Sequence, residues 1–204
     1  MTEEAIIISV PDGHPAELFE FIESDLCSPD FKVKTLKTEH GAMAGIEWLL
    51  PTVVVAYLLK PFFEAALQEA GKDFYELSKS KIKQFITRNR ALKYKYVAAT
   101  ISTEKLSKNY NQSITVSIKA FLHSKVMITV LFDETVAEEE MDDMLEVLFL
   151  TLNKFYVDTK QELPEGNYDI RNVNSNEIFF IANPELRQWQ LLSKEQMNEK
   201  FRNK

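Results

Sequence analysis

Few side chains in this sequence can attack a substrate, shuttle a proton or bind a metal. There is one cysteine, Cys27, and three histidines, His14, His40 and His123. A Cys27–His14 or Cys27–His40 pair would be a thiol–imidazole dyad. A nucleophilic cysteine, however, needs a neighbouring cation or a helix N-terminus to lower its pKa. Cys27 follows Asp25 near the expected C-terminal end of a helix, where the helix dipole disfavours a thiolate. It therefore reads as a structural, half-buried thiol.

No histidine stands within four residues of another histidine or of Cys27, so no local zinc spacing exists and no metal is expected. His14 falls in a turn before a helix and His123 at a hairpin tip, and both read as solvent-exposed. His40, beside Gly41 at the entrance to the most apolar part of the chain, is the remaining candidate for a catalytic group. The sequence contains no G-x-S-x-G elbow, no Walker loop and no G-x-G-x-x-G fingerprint, so no cofactor is expected either. Whether the chain is an enzyme is left open.

Charge is unevenly distributed. Residues 72 to 95 hold eight Lys or Arg and two acids, Asp73 and Glu76, whereas Asp133 to Glu146 hold eight acids and no base. Acids in a first helical turn suit the helix dipole, but eight exceed that need. The excess is free to face the basic region, within one chain or between subunits, or to keep the protein soluble. The acids lack the Asp-x-Asp-x-Asp-Gly spacing of a calcium loop. A net charge of −7 argues against a nucleic-acid partner, since phosphate binding needs a positive field. Lys93, Tyr94, Lys95 and Tyr96 alternate base with aromatic, which fits a strand with one buried side.

The most distinctive stretch is Trp48 to Leu59, twelve residues without a charge between Glu47 and Lys60. It is too short for a membrane span, which needs about 20 mostly apolar residues. Its expected role is a buried helix, starting near Pro51, broken or kinked at Lys60-Pro61 and ending at Gly71. Gly41 and Gly45, four apart just before it, can belong to a helix that a neighbour approaches closely or to a flexible loop.

Around this segment, Ile6–Val10 reads as a strand followed by a Pro11-Asp12-Gly13 turn, Pro15–Leu26 as a helix and Phe31–Lys37 as a strand. A helix follows from Asp73, with Asp73 and Glu76 at capping-box spacing and Phe74, Leu77, Ile82, Phe85 and Ile86 on its apolar face. Alternation marks three adjacent antiparallel strands at 93–102, 114–122 and 125–132. Thr135 and Glu138 form a second capping-box pair, ahead of a stripe of Met141, Leu145, Leu148, Leu152 and Phe155. Residues 177–182 and 186–192 read as a hairpin, and Ser193 with Gln196 as the cap of a last short helix.

The expected fold is thus a single α+β domain over residues 1–204. It has a mostly antiparallel sheet, with a β-α-β start, a central three-strand block and a C-terminal hairpin, packed on a central apolar helix and amphipathic helices. One cysteine and an acidic N-terminus without a signal-peptide pattern point to the cytoplasm.

The leading functional expectation is a non-enzymatic protein-interaction module that self-associates. The first alternative is a membrane-associating effector, using residues 46–70 followed by the basic helix 72–95. The second is an enzyme with a site near His40.

Overall fold

A short β-branched run, Ile6-Ile7-Ile8 with Val10, builds the first strand, β1 (Glu4–Pro11), with Ile6, Ile8 and Val10 fully buried on one face. The computed structural model describes residues 4–26, 31–38, 54–90, 112–122, 126–133, 135–162, 177–183, 188–193 and 195–197; side chains are described except at 112–115 and 159–162. His14 N–H donates to Pro11 C=O, closing the Pro11-Asp12-Gly13 turn. Gly13 sits at φ +80°, a conformation in which a Cβ is strained. A 3₁₀ turn (Ala16–Leu18) and a short helix, α1 (Glu20–Asp25), lead to β2 (Lys32–Thr38), which pairs parallel with β1. The β-α-β start is as the pattern predicts.

The apolar segment breaks at Lys60-Pro61 as expected, but the described residues before the break form a strand where a helix is expected. Residues 54–58 form a strand, β3 (Val54–Leu58), and a helix, α2 (Lys60–Leu67), begins only at Lys60, with Pro61 in its first turn. β3 lies between β1 and β4 (Gln112–Phe121), so both its edges are hydrogen-bonded and both its faces are largely covered. A central strand tolerates an unbroken apolar run, and a β-branched Val-Val start suits a pleated backbone better than a helix. Among the described residues the central apolar element is therefore a strand plus a two-turn helix, not one helix.

A 3₁₀ turn (Glu69–Gly71) then leads into α3 (Lys72–Arg90). Asp73 lies inside the first turn of α3, and Glu76 binds Lys79 instead of closing a cap. Phe74, Ile82, Phe85 and Ile86 are buried as expected, whereas Leu77 faces outward.

β4 pairs antiparallel with β5 (Met127–Asp133) and parallel with β3, so the block around it is mixed in direction. The expected strand at 93–102 lies outside the described residues. After β5, the carboxylate of Asp133 accepts from both the N–H and the hydroxyl of Thr135, at 2.8 and 2.5 Å. α4 (Glu138–Glu162) starts only three residues later, so Thr135 stands ahead of the N-cap and not at it, as the expected capping box requires. β6 (Glu177–Asn183) and β7 (Gln188–Ser193) form the predicted antiparallel hairpin. The last predicted cap is present in reciprocal form. Gln196 N–H donates to Ser193 Oγ at 3.2 Å, and Ser193 N–H donates to Gln196 Oε1 at 2.9 Å.

The strands make one seven-stranded sheet in the order β2-β1-β3-β4-β5-β6-β7. Parallel and antiparallel neighbours alternate across it, so α+β holds while the sheet is mixed rather than mostly antiparallel. Side chains from one sheet face join those of α1 to α4 in the main core, where Phe62, Phe63, Phe149 and Tyr156 supply much of the volume. Phe63 and Tyr156 stack with ring centroids 4.9 Å apart. On the opposite sheet face a smaller cluster gathers Leu131, Phe179, Ile181, Leu192 and Met197.

Candidate functional site: the outer face of α4

Of the residues singled out for chemistry, the structure describes His14; Cys27, His40 and His123 lie outside the described residues, as do Gly41, Gly45 and residues 93–96. His14 is buried, not exposed as its turn position suggests. Its Nε2 lies 2.8 Å from Oδ1 of Asn89, in the last turn of α3. Asn89 Nδ2 donates to Phe85 C=O at 2.8 Å and to Leu18 C=O at 3.1 Å. Both amide hydrogens are thus used, Oδ1 is the acceptor, and the His14 ring is the Nε2–H tautomer. Burial pushes the His14 pKa down, against the Asn89 hydrogen bond and the charge of Glu17, which raise it. Those contacts tie the β1–α1 turn to α3. Among the described residues no group of three or more His, Cys, Asp or Glu is placed to hold a metal ion.

The two charged regions meet within the chain. Lys79 of α3 donates to Glu146 of α4 at 2.8 Å and to Glu76 at 2.7 Å. Lys83, one turn on, reaches Glu146 at 3.1 Å and Asp142 at 3.2 Å. The hydrogen bond from Lys79 holds the Glu146 carboxyl below its usual range, against the opposing effect of burial, with Lys83 adding to the effect. Burial alone would lower Lys79, but its two carboxylate partners outweigh that and raise it. Asn153 extends the seam by donating to the Tyr75 hydroxyl at 2.7 Å. That phenol is pushed up to about 12, chiefly by burial. On the other flank of α3, Lys81 pairs with Asp25, and Arg88 lies over the Phe21 ring while donating to Glu17 C=O.

The described part of the apolar segment is equally committed to the fold. Val54, Val55, Ala56, Leu58, Phe62, Phe63 and Ala65 are buried. No helix among the described residues is long and apolar enough to cross a membrane.

Among the described residues, α4 is the element that exposes two large aliphatic side chains. The exposed large hydrophobics among the described residues are Leu36, Leu67, Leu77, Val147, Leu150 and Leu191. Val147 and Leu150 are the pair at neighbouring positions of one helix, three apart, and they are 55% and 62% exposed. They lie off the buried stripe of Met141, Leu145, Leu148 and Leu152. The expected stripe thus forms, but α4 carries a second apolar strip facing away from the sheet. A search of the helix for aliphatics outside the core period would have found it.

The two sheet edges differ as well. β2 carries Lys32, Lys34 and Lys37, the usual guard against edge pairing, whereas β7, Gln188–Ser193, has no charge. Trp189 of β7 donates its indole N–H to Met144 C=O at 2.7 Å, fixing α4 over this edge. No protein-family model, curated protein or solved structure matches this chain.

Proposed function

We propose that the chain is a non-enzymatic interaction module that binds a second copy of itself. The carrying observation is the pair Val147 and Leu150, two branched aliphatics more than half exposed on the solvent side of a long helix. Exposed aliphatic pairs on a helix lose water contact only when another surface covers them. Asp142 and Glu146 of the acidic stretch are joined to Lys79 and Lys83 within the chain, so this part of the charge offers less motive for association than the apolar pair does. A lipid-facing role would need the described part of that segment, Val54 to Ala65, to leave the interior, where β3 is hydrogen-bonded on both sides. The burial of Val54, Val55, Ala56, Leu58, Phe62, Phe63 and Ala65 favours the self-association reading.

Sedimentation across a concentration series tests it. A reversible shift from monomer to dimer is expected, largely retained at high salt because the contact is apolar. A chain that stays monomeric at every concentration, with no co-purifying protein, sinks the reading.

A further inference from the structure

The outer face of α4 carries more than two aliphatics. Asp143 stands four residues before Val147, and Lys154 stands four after Leu150. At 100° per residue these four positions share a stripe about 60° wide and about 16 Å long. All four side chains are exposed. Neither Asp143 nor Lys154 has an ion pair among the described residues, whereas Asp142 and Glu146, on the flank toward α3, are paired with Lys83 and Lys79. The stripe is therefore a short apolar seam with an acid at one end and a base at the other.

Resting on the self-association reading, we propose that two copies dock α4 against α4 in antiparallel fashion about a two-fold axis between residues 148 and 149. Val147 then meets Leu150 of the second copy, and Asp143 meets its Lys154, twice over by symmetry. Parallel docking would set Asp143 against Asp143 and Lys154 against Lys154, so the charge order selects the antiparallel arrangement. Such a face is self-complementary without any residue outside the stripe. Its occupant is accordingly a second copy of this chain.

A seam of four aliphatic side chains belongs with small, weak interfaces, so association is to be measured from about 1 µM to about 1 mM. Sedimentation equilibrium of the full chain is run on the unaltered protein, Asp143→Lys, Lys154→Asp, the double reversal and Leu150→Glu. Far-ultraviolet circular dichroism confirms that each variant is folded. Each single reversal is expected to weaken the dimer roughly tenfold, because it replaces two exposed ion pairs by repulsions. The double reversal restores the dimer, and Leu150→Glu abolishes it.

If the unaltered chain is monomeric at about 1 mM, the self-association reading fails, and this proposal with it. If it dimerises and Leu150→Glu separates it while neither charge reversal matters, the antiparallel register is overturned and self-association stands. A dimer insensitive to every α4 variant but lost in Leu191→Lys overturns the α4 interface in favour of the β7 edge.

Discussion

Asn89 Oδ1 lies 2.8 Å from Nε2 of His14, joining the turn after β1 to the last turn of α3 across 75 residues of sequence. Each polar atom of the Asn89 amide has a partner in this buried node: His14, Leu18 C=O and Phe85 C=O. Truncation to Asn89→Ala leaves a ring N–H without its acceptor and removes one donor from each of two carbonyls. A buried group stranded in this way costs about 1–3 kcal/mol. Urea unfolding of Asn89→Ala is expected to show a loss in the upper half of that range. A loss under about 0.5 kcal/mol would mean that water replaces the amide and that the node does not hold the turn.

The same histidine gives stability a pH dependence of defined sign. Burial, opposed by the Asn89 bond and by Glu17, holds the folded-state pKa of His14 below its ordinary 6.5. The unfolded chain therefore takes up its proton first as pH falls, and that favours unfolding. The contribution is whole above the unfolded value and declines as pH drops from 6.5 toward the lower folded value. The urea midpoint should fall between about pH 7 and pH 5, and His14→Gln should flatten that slope. An unchanged slope in the variant would show that the titration comes from elsewhere.

Local rules were enough for some of this architecture and not for the rest. The Pro11-Asp12-Gly13 turn and the Ser193–Gln196 cap were legible because every interaction spans three residues. The buried stripe of α4 followed from period, and the β6–β7 hairpin from two apolar runs on either side of Asn183-Pro184-Glu185. β3 did not. Val54–Leu58 has neither helical nor strand period, since a strand buried on both faces shows an unbroken apolar run. The Thr135–Glu138 pair has capping-box spacing, but α4 begins at Glu138 itself, so Thr135 falls ahead of the N-cap, a boundary the spacing cannot display. The partner of His14 was illegible because it lies on another helix. The α4 seam was missed for a different reason: its aliphatics were passed over in favour of the stronger period that faces the core.

The seam between α3 and α4 predicts a second pH dependence and a salt dependence. Glu146 titrates below its usual range because Lys79, and then Lys83, donate to it. Its contribution to stability is present above the ordinary carboxylate pKa and is lost as pH falls through the lower folded value. Lys79 is raised, so its share is lost as pH rises beyond the ordinary lysine range. Glu146 is partly exposed, and solvent screening limits the pair to about 0.5–1 kcal/mol. A double-mutant cycle with Glu146→Gln and Lys79→Met should return a coupling of about that size, shrinking as salt is added. Zero coupling at low salt would reduce the seam to an incidental surface contact.

Gly71 ends the 3₁₀ turn between α2 and α3 and packs against the backbone of Ala65, so substitution there tests how tightly α2 is held. A Cβ at this position would lie 2.5 Å from Ala65 O and 2.7 Å from Ala65 Cα, both backbone atoms that no rotamer change can move. The last turn of α2 would have to shift away from the 3₁₀ turn, disturbing the buried neighbours Phe62 and Phe63. Overpacking of this kind costs about 1–3 kcal/mol. Gly13 provides the contrast. A Cβ there meets nothing within 4 Å, but its φ of +80° is strained for any L side chain. Gly13→Ala should therefore cost about 1–2 kcal/mol through backbone conformation alone. Thermal unfolding together with hydrogen exchange separates the two effects. Gly71→Ala is expected to lower protection in both α2 and the start of α3, whereas Gly13→Ala lowers it only around the β1–α1 turn. Equal protection in α2 for Gly71→Ala and the unaltered chain would show that this helix can retreat without cost, and that it is not clamped by the approach at Ala65.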